Sequence, residues 1–129
     1  MSDDEGVIEK LFEAMAAGPA GEEPMMRLFA EDAVLVETFT GEPREHVGID
    51  SIRRSYRELF REPPPRDMKL VLHRMDRDGK RVRAEWSCFS EDYLEPRRGY
   101  DIFVVEGGLI RKLEIVVTQK ERRRERESR

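Results

Sequence analysis

The chain has 129 residues, 38% of them hydrophobic and 40% charged, which allows one small core under a heavily charged surface and leaves no room for a second domain. Its net charge is −4, but residues 120–129 carry six basic and three acidic side chains, so the remaining body stands near −7 and is a poor surface for nucleic acid. The single cysteine, Cys88, excludes an intramolecular disulfide, and no stretch approaches the ~20 apolar residues that a membrane helix needs.

Ser2 and Glu5 stand at capping-box spacing, and Val7, Ile8, Leu11, Phe12 and Met15 behind them fall on one helical face. Gly18-Pro19 stops that helix. A second, shorter helix is expected from about Glu23, with Pro24 at its first position and Met25, Met26, Leu28 and Phe29 as its apolar side. Residues 33–39 alternate and are rich in β-branched side chains, which predicts a strand. Residues 41–48 read as a loop containing Pro43. A third helix, capped by Asp50 or Ser51, carries the stripe Ile52, Tyr56, Leu59 and Phe60 and ends at Pro63-Pro64-Pro65.

The second half reads as a meander of strands over residues 68–75, 81–90, 98–106 and 109–118. Asp78-Gly79 is a hairpin signal, Gly107-Gly108 marks another turn, and a connection containing Pro96 covers 91–97. Val82, Ala84, Trp86 and Cys88 share one strand face, while Arg83, Glu85 and Ser87 take the other. Helices followed by a long meander predict an α+β fold with the helices on one sheet face. The third of these strands is apolar on both faces, with Tyr100, Ile102 and Val104 on one and Phe103 and Val105 on the other. A second copy is the simplest cover for the face without helices, so a homodimer through the outer sheet face is expected. The domain is assigned to residues 1–119. Residues 120–129 form a charged tail without apolar period, expected to be disordered or a fraying helix. The acidic opening segment does not read as a secretory signal, and a lone cysteine fits a reducing compartment, so a cytoplasmic location without membrane partner is expected.

Two stretches carry a family resemblance. One is Leu28-Phe-Ala-Glu-Asp-Ala-Val-Leu-Val-Glu-Thr-Phe39, followed by Gly41-Glu-Pro-Arg, Gly48 and Ile52-Arg-Arg-Ser-Tyr56; the other is Tyr100-Asp-Ile-Phe-Val-Val-Glu-Gly-Gly-Leu-Ile110. Together with the element order, they resemble the nuclear transport factor 2-like superfamily, which includes ketosteroid isomerase, scytalone dehydratase, limonene epoxide hydrolase and the polyketide cyclases. The resemblance covers nearly all of residues 5–118. It implies a cystatin-like cone, in which a curved antiparallel sheet holds three helices on its concave face and encloses a small-molecule pocket. It is weak for any one activity, because this fold hosts many chemistries.

The resemblance to the isomerase places a catalytic base on Glu37 and a protonated acid on Asp101. Leu11 stands where the isomerase has an oxyanion-donating tyrosine, and Tyr56 matches a further tyrosine of the family; a tyrosine from elsewhere, such as Tyr93 or Tyr100, is an alternative donor. Gly99 stands where the epoxide hydrolases need an arginine, with Arg97 and Arg98 out of register. Independently of the resemblance, Glu37 ends an apolar strand and Asp101 shares a face with Phe103 and Val105. A carboxylate on an apolar face is costly unless paired or protonated. Two such groups converging on a cavity make an acid/base arrangement. The bland alternative places Glu37 in water at the pocket rim and pairs Asp101 with Arg98 or Arg83. Phe39, Trp86, Phe103 and Leu11 are candidate ligand contacts, although each aromatic taken singly fits core packing. His46 and His73 lack a further ligand at metal spacing, so neither a metal nor a cofactor is expected. Cys88 reads as a small core residue.

Three functions follow. The first is a cofactor-free isomerase or cyclase acting on a small hydrophobic carbonyl compound through an enolate, with Glu37 as base and Asp101 and Tyr56 on the oxygen. The second is a non-catalytic binder of small apolar ligands. The third is a dimerisation module with a filled cavity.

Overall fold

Helix α1 (Asp4–Ala16) buries Val7, Ile8, Leu11, Phe12 and Ala14, and the acidic Asp4 and Glu5 of its first turn suit the positive end of the helix dipole. The structure, a computed structural model, describes residues 4–62 and 64–124. Ser2 of the expected capping box, Pro63 and residues 125–129 of the tail lie outside the described residues. A 3₁₀ turn, Gly18–Gly21, leads into α2 (Glu22–Met26). That helix begins before Glu23, so Pro24 is its third residue and not its first. The position tolerates proline because the opening N–H groups of a helix have no intrahelical partner. Helix α3 (Ile49–Leu59) buries Ile52, Ser55 and Tyr56. Its N-cap is Gly48, not Asp50 or Ser51. Gly48 sits at φ 88°, a conformation glycine adopts without strain, and its N–H donates to the Ala33 carbonyl at 2.8 Å.

The strands are β1 (Phe29–Glu37), β2 (Arg44–Val47), β3 (Lys69–Asp78), β4 (Arg81–Phe89), β5 (Tyr93–Glu95), β6 (Arg97–Glu106), β7 (Leu109–Gln119) and β8 (Arg122–Arg123). Six of them form one sheet in the order β2-β1-β7-β6-β4-β3. The expectation of a wholly antiparallel sheet is corrected in one place: β1 runs parallel to β7. A parallel neighbour needs a long connection, and α3 with the meander supplies it. The expected loop 41–48 contains β2, which pairs with β1. The hairpins at Asp78–Arg81 and Glu106–Leu109 close as their glycines predict. The expected tail is also shorter than 120–129, because Arg122–Arg123 pairs with Tyr93–Glu95 as a second, two-stranded sheet. Backbone pairing here needs no apolar period, which is why the sequence pattern did not reveal it.

Helix α1 packs on β3 and β6, and α3 on β1. The core between helices and sheet includes Leu35, Val82, Ala84, Phe103, Ile110 and Leu113. On the opposite sheet face Tyr100, Ile102 and Val104 are half-buried, and the Arg83 guanidinium lies 3.9 Å from the centre of the Tyr100 ring. No helix among the described residues is long and apolar enough to cross a membrane.

Candidate functional site

A cavity of about 200 Å³ opens between α1, the end of α3 and the inner sheet face. Cavities of ~150 Å³ already hold a benzene ring, so this one has room for a small bicyclic compound. Its walls are mainly apolar: Leu11, Phe12 and Met15 from α1, Leu59 and Phe60 from α3, and Phe39, Leu70, Trp86 and Ile115 from the sheet side. Of the expected ligand contacts, Leu11, Phe39 and Trp86 therefore line it. Phe103 does not. It is completely buried in the core.

Asp101 lines the cavity floor and is 3% exposed. Strand alternation turns it inward with Gly99 and Phe103. The expected alternative, pairing with Arg98 or Arg83, does not occur, since Arg98 and Arg83 occupy the other face of the sheet. The Trp86 Nε1–H donates to Oδ1 at 2.8 Å, and this is the carboxyl's one hydrogen bond among the described residues. Burial pushes its pKa from 3.8 up to about 7, against the smaller opposing pull of the Trp86 bond. Near neutral pH the group is therefore both a ready proton donor and a ready acceptor. The indole reaches this bond because Gly99 lacks a side chain. A Cβ there would stand 2.6 Å from Trp86 Cζ2 and 2.3 Å from the Val116 carbonyl oxygen.

Glu37 lies in the same inward row of the sheet, Glu37–Ile115–Asp101–Ala84. Two strand spacings place its Cα about 10 Å from that of Asp101. Ile115 stands between them, and Glu37 does not line the cavity. Its carboxylate is fully buried and fully engaged. Oε2 accepts from Arg44 Nη2 at 2.7 Å and Nε at 3.0 Å and meets His46 Nε2 at 2.8 Å; Oε1 accepts the Phe39 N–H at 2.9 Å. Burial is the largest single influence and raises its pKa, but His46, the Phe39 amide and Arg44 together hold it below the ordinary glutamate value. A carboxylate so stabilised is a weak base, and the structure ties β1 to β2 with it. The strand β2, absent from the sequence reading, brings Arg44 and His46 onto this carboxylate, so it is not the lone acid that the sequence pattern suggests.

Tyr56 is likewise committed elsewhere. Its hydroxyl lies 2.5 Å from the Gly18 carbonyl oxygen and 3.1 Å from that of Ala14, sharing one proton between acceptors at the end of α1. Burial raises its pKa to about 12. It does not reach the cavity that contains Asp101, because the glycine turn after α1 folds back over it.

Tyr93, one of the alternative donors offered by the sequence, lines the cavity beside Cys88, and Tyr100 does not. The sequence reading missed the rest of its polar side, Arg97, Glu121 and Arg123. Burial raises the Cys88 thiol to about 11, so it stays protonated. Arg97 precedes Asp101 by four residues on the same strand, and period-two counting places both on one face. The Arg97 guanidinium lies 5.3 Å from the Phe39 ring centre. No group of three or more metal-binding side chains occurs among the described residues.

The model of the SnoaL-like domain matches residues 8–113. Solved structures share the fold at low identity. A Jannaschia protein provisionally assigned as a SnoaL-like polyketide cyclase superposes with a TM-score of 0.73 at 14% identity, covering 90% of this chain and 85% of that one. A provisional polyketide cyclase from Sinorhizobium meliloti gives 0.68 at 18% identity over 89% of this chain and 99% of that one. A provisional ketosteroid isomerase from Kribbella flavida gives 0.65 at 20% identity over 89% and 77%. No curated protein matches the chain in sequence. With the match spanning α1 to β7, the chain belongs to the SnoaL-like domain family.

Proposed function

We propose that the cavity binds a small, mainly apolar carbonyl compound and that Asp101 alone carries acid/base chemistry on it, giving an isomerised or ring-closed product. The observation that supports this reading is the buried Asp101 carboxyl, with one hydrogen-bond partner and a place on the cavity floor. As carboxylate it takes a proton from the carbon next to the substrate carbonyl, leaving an enolate. It then returns that proton to another carbon for isomerisation. For ring closure the enolate carbon forms a bond to a second carbonyl carbon, and the resulting alkoxide takes the proton from Asp101. Either way the carboxylate is regenerated and no atom is lost. Trp86 Nε1–H holds Oδ1, leaving Oδ2 for the substrate. The neighbours assigned as an isomerase and as cyclases are consistent with this class of reaction. The reading differs from the two-carboxylate scheme in assigning no chemistry to Glu37 or Tyr56.

The test is turnover of small β-dicarbonyl compounds followed by loss of the enol absorbance. Asp101→Asn should abolish turnover, whereas Glu37→Gln should keep the pH profile of the parent. A profile that follows Glu37 and ignores Asp101 would overturn the assignment. The second reading, a non-catalytic binder, draws on Leu11, which lines the cavity without any donor for an oxyanion. It is distinguished by saturable binding with no product. The partly apolar outer face supports pairing of two copies, to be tested by sedimentation equilibrium.

A further inference from the structure

The wall of the cavity contains a donor and an acceptor that form a long ion pair but make no hydrogen bond among the described residues. Arg97 Nε and Glu121 Oε1 are both buried without a hydrogen bond. They face each other at 3.8 Å, too far for a hydrogen bond and close enough for one atom to bridge them. Buried polar atoms are normally satisfied, so an adjacent orphan pair marks a place for something else. The group that fits must accept from Nε–H and donate to a carboxylate oxygen. A hydroxyl does both. A carbonyl cannot donate, and a carboxylate that would suit Arg97 alone is repelled by Glu121. Arg97 and Asp101 both face the cavity, four residues apart on β6, about 13 Å along the strand.

We infer that Arg97 and Glu121 form a hydroxyl-recognition subsite, so that the ligand is a hydroxylated carbonyl compound bound with its carbonyl on Asp101 and a neutral hydroxyl between Arg97 and Glu121. The inference rests on the reading of the cavity as a carbonyl-binding site. Two features make the subsite selective. Glu121 follows the end of β7, and the pairing of Arg122–Arg123 with β5 fixes the chain there. The Phe39 ring beneath Arg97 holds the guanidinium by a cation–π contact. In the free protein a water can bridge the pair. A ligand hydroxyl replaces it, while an apolar ligand leaves both groups unsatisfied.

The test is calorimetric titration of the full chain with hydroxyacetonaphthone, its hydroxyl and acetyl on opposite rings, and with acetonaphthone, which lacks only the hydroxyl. The wild type should prefer the hydroxylated compound by roughly tenfold or more, the size expected when a buried donor and acceptor are left unpaired. Arg97→Leu with Glu121→Leu should erase that preference while keeping acetonaphthone binding. The near-isosteric Glu121→Gln should reduce it several-fold and covers the case in which the double variant fails to fold. Asp101→Leu, which can neither donate nor accept, should weaken both compounds alike. Equal wild-type affinities, both sensitive to Asp101→Leu, overturn the hydroxyl subsite and leave the acid/base reading standing. Binding of neither compound overturns both.

Discussion

Replacing Asp101 by asparagine should make the protein more stable, and increasingly so as the pH rises from about 4 to 7. The carboxyl is 3% exposed and its pKa is pushed from 3.8 to about 7. The folded state therefore holds a proton that the unfolded chain releases. For a group raised in this way, the stability contribution is fully present below pH 3.8, falls as the pH rises through the window from 3.8 to about 7, and is lost above it. The gap corresponds to about 4 kcal/mol. Asparagine has nearly the same shape, keeps an oxygen for Trp86 Nε1–H and does not ionise. The two proteins should differ little near pH 4, and the variant should lead by up to about 4 kcal/mol at pH 8. Urea unfolding followed by far-ultraviolet circular dichroism, from pH 4 to 8.5, measures both curves. Their difference cancels the other titrating groups, and equal denaturant slopes would confirm that the same surface is exposed on unfolding. A difference that does not change with pH, or one that favours the wild type at pH 8, would refute the argument that burial dominates this carboxyl.

Other substitutions test the remaining assignments. Arg44→Ala removes one partner of a buried carboxylate and should cost about 3 kcal/mol in chemical denaturation; because the Glu37 pKa is held low, the stability that Glu37 adds is present above the ordinary glutamate value and should be lost as the pH falls below it. Tyr56→Phe leaves the Gly18 carbonyl without its donor and should lower stability by about 1–2 kcal/mol, with ligand affinity unchanged in calorimetry. Gly99→Ala forces a methyl against the Trp86 ring and the Val116 carbonyl, so it should cost about 3 kcal/mol and shift the tryptophan emission as the indole leaves Asp101.

The fold was legible wherever a repeat of apolar residues fixes an element. The α1 stripe from Val7 to Phe12, the alternation Val82–Ala84–Trp86–Cys88 and the two glycine hairpins all appear where the pattern places them. The short strands β2, β5 and β8 were not legible, because they have two to four residues each and bury none of them fully. Their stability comes from partners distant in sequence. That gap had consequences for the site. Without β2, Glu37 reads as a lone acid on an apolar strand, although Arg44 and His46 both contact it. Without β5 and β8, nothing in the sequence brings Glu121 to Arg97. The position of Arg97 was available from counting alone, two pairs of residues before Asp101 on the same face.

The inner face of the sheet thus carries two buried acids in one row, and the fold treats them in opposite ways. Glu37 receives four polar contacts that hold it below the ordinary glutamate value, so its burial is offset locally. Asp101 receives one contact and is raised toward neutrality. A second unfavourable choice sits beside it: glycine in the middle of a strand, which weakens the strand by about 0.5–1 kcal/mol relative to alanine. Each choice alone is a defect, yet together they act as one device. Gly99 admits the indole, the indole fixes one oxygen of Asp101, and the other oxygen, beside the cavity, has no hydrogen-bond partner among the described residues. Violations of local rules that depend on each other, and that converge on a single cavity, are the places where function is expected to have displaced stability. The same reasoning sets Glu37 aside, since its violation is repaired within its own strand pair.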